Sequence, residues 1–182
     1  KNVYFITGTA YAGKSTTVKM LAERYDMIFC GENYHSEVAD IVATPEKQPD
    51  SCYIKNLTDW KDFVTRSPEE YARWIFDTSK EAAEFEVAQL ISIAADKKVI
   101  VDTNISVDLL KEISDYNHVA LMLAPQSMSV ERFFDRSDPE KQFILSVIDS
   151  CDNAEEVMDN YRKGLALINS QENYNELAQS GF

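Results

Sequence analysis

The chain has 182 residues, 45% hydrophobic and 27% charged, which is typical of one folded domain and excludes a disordered chain. Eighteen Lys and Arg against 31 Asp and Glu give a net charge of −13. This argues against nucleic acid or an anionic membrane as a partner, because both require clustered cations. No apolar run approaches the ~18 residues of a membrane span. Cys30, Cys52 and Cys151 lack metal-binding spacing, so we expect a cytoplasmic protein with free thiols.

Short apolar runs alternate with helical patterns along the chain. Strands are predicted at residues 3–7, 27–30, 98–102 and 119–124. Helices are predicted at residues 14–25, 67–95, 106–113, 127–135, 139–149 and 154–169, and residues 44–58 are predicted as a loop. This alternation indicates an α/β fold with a parallel sheet and right-handed crossovers. A fifth strand, if one exists, would lie near residues 177–182 or outside the residues given.

Residues 8–15 match the pattern G-x-x-x-x-G-K-[ST] at every defined position, between a predicted strand and a predicted helix. In such a loop, glycines let the backbone N–H groups turn toward a polyphosphate, and the helix that follows adds its positive dipole end. Lys14 would reach the β- and γ-phosphates, and the Ser15 hydroxyl would bind Mg²⁺. We therefore predict a site for ATP and Mg²⁺ whose residues are Gly8, Thr9, Ala10, Tyr11, Ala12, Gly13, Lys14, Ser15 and Thr16.

The metal shell of such a site needs a second group, usually a carboxylate at the end of a neighbouring strand. Asp102 closes the apolar run Val99–Val101 and has that position. We predict that it acts on Mg²⁺ through water, the alternative being a turn or helix-capping aspartate.

The order of these parts resembles the nucleoside monophosphate kinase-like group of small P-loop kinases, which includes adenylate, shikimate and gluconate kinases. Residues 31–35, Gly-Glu-Asn-Tyr-His, are similar to the G-D-x-x-H of gluconate kinases with Glu32 in place of Asp. Ala124-Pro125 is similar to the junction that follows the fourth strand in this group. The resemblance implies a three-layer P-loop NTPase fold over residues 1–182, with a helical acceptor-binding insert at residues 57–95. It also implies that Glu32 handles the acceptor hydroxyl, the alternative being an exposed loop acid.

Residues 127–141 look like the lid of this group. Arg132 and Arg136 are four residues apart, so on a helix they would project from one face and could grip phosphate oxygens. The alternative is two solvated arginines paired with nearby carboxylates. With Lys14 and Glu32, these arginines complete the predicted catalytic set.

The sequence also departs from the family. Tyr11 stands where many of these kinases have a third glycine, and Asp102-Thr103-Asn104 replaces the aspartate-arginine pair of many nucleoside kinases. Arg66 and Arg73 in the insert are candidates for binding the substrate, although aromatic residues at helical spacing around them are more typical of a core.

The expected function is that of a kinase, an ATP-dependent phosphotransferase acting on a nucleotide, nucleoside or other small metabolite. The alternative is a nucleotide-binding regulatory module that hydrolyses slowly or not at all. A regulatory GTPase is disfavoured, because no N-K-x-D motif occurs in the chain.

Overall fold

The structure, a computed structural model, describes residues 2–93, 97–135 and 138–182. Its sheet has four parallel strands in the order β2-β3-β1-β4, with β1 and β3 side by side in the centre. The strands are β1 (Val3–Gly8), β2 (Ile28–Cys30), β3 (Val99–Asp102) and β4 (Val119–Met122). The predicted α/β class, with a parallel sheet flanked by helices, is therefore confirmed.

Ten helices connect and cover these strands in the described part of the chain. They are α1 (Lys14–Tyr25), α2 (Ser36–Val42), α3 (Pro49–Tyr53), α4 (Trp60–Val64), α5 (Pro68–Ile93), α6 (Val107–Ile113), α7 (Gln126–Arg132), α8 (Pro139–Asp149), α9 (Ala154–Ile168) and α10 (Gln171–Ala178). Short 3₁₀ turns occupy Ile54–Asn56 and Tyr116–His118. Among the described residues, none of the helices has the length and apolar character needed to cross a bilayer.

The sheet separates two of the hydrophobic clusters. Successive side chains of a strand point to opposite faces. Ile6 and Ile100 pack with Val18 of α1 on one face, while Phe5 and Val101 pack with residues of α5 and α6 on the other. The fold therefore has three layers, with the sheet between helices on both faces. Because Asp102 lies two residues after Ile100 in β3, its side chain points to the same face of the sheet, the one covered by α1.

A third hydrophobic cluster lies where α4, α5, α8 and α9 meet. Phe63, Tyr71, Ile148 and Tyr161 are buried in it, and the Tyr71 and Tyr161 hydroxyls are hydrogen-bonded at 2.9 Å. The aromatic residues of the predicted insert therefore form a core, as their helical spacing suggested.

The prediction of a loop at residues 44–58 is wrong for its second half. Pro49 begins α3 instead of breaking the chain, because proline is tolerated in the first turn of a helix. The helix is fixed to α5 by three hydrogen bonds. Trp74 Nε1 donates to the Asp50 carbonyl (3.0 Å), while Asp50 N and Ser51 N donate to the two carboxylate oxygens of Glu81 (3.3 and 2.7 Å). Such long-range contacts leave no local sequence signal.

Two further expectations are corrected near the carboxyl end. Residues 177–182, all of them described, contain no strand, because α10 reaches Ala178 and the remaining residues are irregular. Helix α7 ends at Arg132 and residues 133–135 form a turn, so Arg132 does not lie on a helix that continues toward residue 136. Arg136 itself lies outside the described residues.

Candidate functional site

The loop between β1 and α1 is held at its start by β4. Gly8 has φ 132°, and a Cβ at this position would lie 2.0 Å from the Met122 carbonyl oxygen, so a glycine is required. Thr9 N donates to the same carbonyl at 3.0 Å. The Thr9 hydroxyl accepts from Ala124 N at 2.7 Å and lies 3.3 Å from the Ala124 carbonyl oxygen. Backbone and side chain together therefore extend the β1–β4 contact into the loop.

The middle of the loop is in the left-handed region of backbone conformation. Tyr11 has φ 64° and Gly13 has φ 85°. Tyr11 thus adopts a backbone conformation that glycine favours. Its hydroxyl donates to the Phe133 carbonyl at 2.9 Å, which holds the side chain against the segment after α7.

Ser15 and Asp102 join the beginning of α1 to the end of β3. The Ser15 hydroxyl donates to Asp102 Oδ2 at 2.5 Å, while Lys14 Nζ donates to the Thr9 carbonyl at 3.2 Å. Asp102 is fully buried, and its Oδ1 has no hydrogen-bond partner. Burial raises the pKa of the Asp102 carboxyl, and the Ser15 hydrogen bond and the Lys14 charge act in the opposite direction. The predicted lysine, hydroxyl and carboxylate are therefore brought together.

This arrangement suits Mg²⁺ in one respect. The Ser15 hydroxyl on the cavity wall is hydrogen-bonded to the buried Asp102 carboxylate, whose second oxygen has no hydrogen-bond partner. In the described residues, no three His, Cys, Asp or Glu side chains are grouped so as to hold a metal ion. Most oxygen ligands would thus come from phosphates and water, as Mg²⁺ commonly prefers.

A cavity of about 970 Å³ opens in front of the loop. It is lined by residues of the loop, of one face of α5 between Tyr71 and Ala83, of the turn between Asn104 and Leu109, and of the α9–α10 junction between Leu165 and Leu177. Pockets for small ligands have volumes of roughly 300–1,000 Å³. The cavity is therefore large enough for a nucleotide beside a small second ligand.

Glu32 lies at the edge of this cavity, as expected for a residue that follows a strand on the ligand side of the sheet. Its Oε1 accepts from Asn104 Nδ2 at 2.8 Å. Sequence reasoning named Glu32 but not Asn104, which holds it. The two come from neighbouring strands, β2 and β3, whose carboxyl ends meet at one edge of the sheet.

A buried carboxylate beneath this edge was missed by sequence reasoning. Glu86 of α5 is 1% exposed, and its Oε2 accepts from the Thr103 hydroxyl at 2.6 Å, while Thr103 Oγ1 accepts from Ile105 N at 3.0 Å. Burial raises the pKa of Glu86 to about 7, and the Thr103 hydrogen bond opposes this rise. Glu86 therefore holds Thr103, the residue between Asp102 and Asn104.

The lid residues are placed differently from the prediction. Arg132 is exposed at the end of α7 and does not line the cavity. Arg136 belongs to the residues that the structure does not describe. Lys141 of α8 lines the cavity instead, with its Nζ 5.2 Å from the centre of the Tyr11 ring and 5.0 Å from that of Phe133. Among the described residues of the segment 127–141, the positively charged side chain beside the loop is therefore Lys141.

The two arginines proposed to bind substrate lie elsewhere. The Arg66 guanidinium stacks on the Tyr53 ring at 3.8 Å, with the Trp74 ring 5.5 Å away. Arg73 is exposed on α5. Neither lines the cavity. Arg66 thus has a packing role against aromatic side chains in this structure.

Asn169 was also missed. This buried residue follows α9, and its Oδ1 accepts from Ala10 N at 3.4 Å while its Nδ2 donates to the Leu165 carbonyl at 3.0 Å. It connects the loop to the far end of the chain, 159 residues away.

Comparison of the chain with known proteins finds no relative. No protein-family model matches the chain, and no curated protein or solved structure matches it either. A functional assignment therefore depends on the geometry of this site.

Proposed function

We propose that the chain is an ATP-dependent phosphotransferase with a P-loop NTPase fold, which transfers the γ-phosphoryl group of Mg²⁺-ATP to a small molecule. The observation that carries the proposal is the 2.5 Å hydrogen bond from Ser15 to Asp102 beside Lys14, at the mouth of the cavity. This is the combination of hydroxyl, strand-end carboxylate and lysine that nucleotide-triphosphate chemistry requires.

The loop residues bind the triphosphate. Backbone N–H groups at the start of α1 and the Lys14 ammonium provide positive charge for the phosphate oxygens. Asp102 accepts a hydrogen bond from the Ser15 hydroxyl, which leaves the hydroxyl oxygen lone pairs available to Mg²⁺. When bound, Mg²⁺ supplies charge neutralisation on the transferring group. An acidic protein can bind an anion in this way because the positive potential is local.

Glu32 acts as the general base for the acceptor hydroxyl. A bond forms between the acceptor oxygen and the γ-phosphorus, the bond from that phosphorus to the β–γ bridging oxygen breaks, and ADP leaves. The acceptor proton passes to the Glu32 carboxylate, which Asn104 holds at 2.8 Å. Lys141 also lines the cavity near the loop, with its Nζ 3.7 Å from Asp138 Oδ2.

Calorimetry with Mg²⁺-ATP tests this proposal. Lys14→Ala should weaken ATP binding at least about tenfold, since a charge-assisted hydrogen bond contributes roughly 1.5–3 kcal/mol. Lys19→Ala is the matched control, because Lys19 lies exposed on the same helix and outside the cavity.

Equal ATP affinity in Lys14→Ala and the wild type would refute the site. Release of ADP with and without acceptors then distinguishes the two functional classes. Stimulation by an acceptor supports a phosphotransferase, whereas binding without turnover indicates a regulatory module.

A further inference from the structure

We propose that the acceptor is a hydroxyl compound with a flat or apolar ring and no negative charge, such as a nucleoside, rather than a phosphate ester or a sugar acid. This inference rests on the proposed function and concerns one part of the same cavity. We name as the acceptor arm the part of the cavity wall made by Ile75, Phe76, Ser79 and Lys80 of α5 together with Glu32 and Asp108.

The first argument is an aromatic surface in the acceptor arm. Phe76 lines the cavity and is 41% exposed, although large apolar side chains are usually buried. Ile75 lies beside it on α5, and Ala83 continues the apolar lining two turns further on. An exposed ring on a concave surface is suited to stacking against a planar base or the apolar face of a sugar.

The second argument is the charge of the acceptor arm. Glu32 and Asp108 place two carboxylates on its wall. The positive charge of Lys80 is already paired, since its Nζ lies 3.0 Å from Asp77 Oδ1. A phosphate dianion bound here would be repelled by these two carboxylates, which raises its free energy in a partly enclosed site. An uncharged hydroxyl compound meets no such repulsion and can donate to Glu32.

The third argument is where the arginines lie. Substrates with phosphate groups are commonly bound by bidentate arginines. Arg66 and Arg73, the arginines of α4–α5, do not line the cavity, and the Arg66 guanidinium is stacked on Tyr53. In the described residues, the cavity cations are Lys14, Lys80 and Lys141, and only Lys80 lies in the acceptor arm.

The test compares three acceptor classes on the wild-type chain with Mg²⁺-ATP, with ADP release as the measurement. The panel contains nucleosides, the same nucleosides as 5′-monophosphates, and gluconate with shikimate. We expect nucleosides to stimulate ADP release at least about tenfold more than their monophosphates. A preference for the monophosphates or sugar acids, or no stimulation by any nucleoside, overturns the inference. Failure of the chain to bind Mg²⁺-ATP refutes the proposed function instead, so the two failures are distinguishable.

Two variants locate the effect in the acceptor arm. Phe76→Ala should raise the acceptor KM about three- to tenfold, the range expected for one lost ring contact. Its control is Ile91→Ala, which removes an exposed apolar side chain of the same helix outside the cavity. Asp108→Lys should improve kcat/KM for the monophosphates, whereas Glu112→Lys, with the same charge change one turn along α6 and outside the cavity lining, should not. Equal effects of the two lysine variants would contradict the charge argument.

Discussion

The hydroxyl of Tyr11 donates a 2.9 Å hydrogen bond to the backbone carbonyl of Phe133. The bond joins the middle of the loop between β1 and α1 to the turn after α7, two segments separated by 122 residues. Tyr11 makes it from a backbone conformation with φ 64°, which disfavours a bulky side chain. The contact therefore offsets part of a local conformational cost.

Tyr11→Phe removes this hydrogen bond and keeps the ring. We expect a loss of about 1 kcal/mol in the free energy of unfolding, or roughly 2–4 °C in melting temperature. Thermal unfolding measures the change. Tyr25→Phe, at the exposed end of α1, is the control and should have little effect. A wild-type melting temperature in Tyr11→Phe would show that the bond contributes nothing.

Gly8 and Gly13 should differ in their tolerance of alanine. At Gly8 a Cβ would overlap the Met122 carbonyl, so Gly8→Ala should lower the free energy of unfolding by about 4 kcal/mol or more. At Gly13 the nearest atom lies 3.8 Å from that Cβ, so only the positive φ opposes alanine, at a cost of about 1–2 kcal/mol. Urea denaturation of both variants tests this order, and equal losses would contradict it.

Ser15→Ala should reduce the Mg²⁺ dependence of ATP binding, because the hydroxyl held by Asp102 is lost. We expect ATP affinity without Mg²⁺ to change less than about threefold, and the gain on adding Mg²⁺ to fall by at least about tenfold. Ser15→Thr retains a hydroxyl and should recover most of that gain. Calorimetry on the wild type and both variants, with and without Mg²⁺, gives the six affinities needed. An unchanged gain in Ser15→Ala would exclude Ser15 from the metal shell.

Glu86 should make stability depend on pH. Its pKa is raised by burial to about 7 from 4.5. Below pH 4.5 both folded and unfolded states hold the proton. Between pH 4.5 and 7 the unfolded state loses it first, so stability falls as pH rises and this contribution is lost above about pH 7.

Glu86→Gln removes that decline, because the amide does not titrate and can still accept from Thr103. The wild type should lose free energy of unfolding between pH 4.5 and pH 8 and the variant should not. The difference between the two should therefore grow over this range by an amount of the order of 3 kcal/mol. Urea denaturation at the two pH values measures it, with the exposed neighbour Glu84→Gln as control. Parallel pH profiles for Glu86→Gln and the wild type would contradict the prediction.

Arg66→Ala separates packing from substrate binding. The loss of stacking on Tyr53 should lower the free energy of unfolding by about 1–2 kcal/mol, while the acceptor KM stays unchanged. Arg73→Ala, on the exposed face of α5, should change neither. A raised acceptor KM in Arg66→Ala would restore the role suggested by the sequence.

The parts of the site that the sequence predicts are those formed by contiguous residues. The loop from Gly8 to Ser15 has its glycines, lysine and hydroxyl in one stretch, and Asp102 is marked by the end of an apolar strand. The strand alternation that directs Asp102 toward α1 follows from the same short segment. The geometry of these residues depends on their immediate neighbours in the chain, so their positions can be predicted from the sequence.

The residues that the sequence did not reveal depend on contacts between distant segments. Glu86 meets Thr103 from a neighbouring layer, and Asn169 reaches Ala10 across 159 residues. Within a helical pattern, Glu86 has nothing to distinguish it from an exposed glutamate. The stacking of Arg66 was equally hidden, since its charge suggested a ligand while its aromatic neighbours are brought together only by the packing of α3, α4 and α5.

Helix α5 belongs to two of the hydrophobic clusters at once. Ala83 and Leu90 lie in the one against the sheet, and Tyr71 lies in the one between α5 and α9. At Gly164 of α9 an added Cβ would come within 2.8 Å of the Tyr71 ring, so the two helices touch closely at that end. Helix α5 has 26 residues and a length of about 39 Å, and it is packed in one cluster toward its amino end and in the other toward its carboxyl end. A tilt of α5 that widened the cavity would therefore disturb the packing of both hydrophobic clusters.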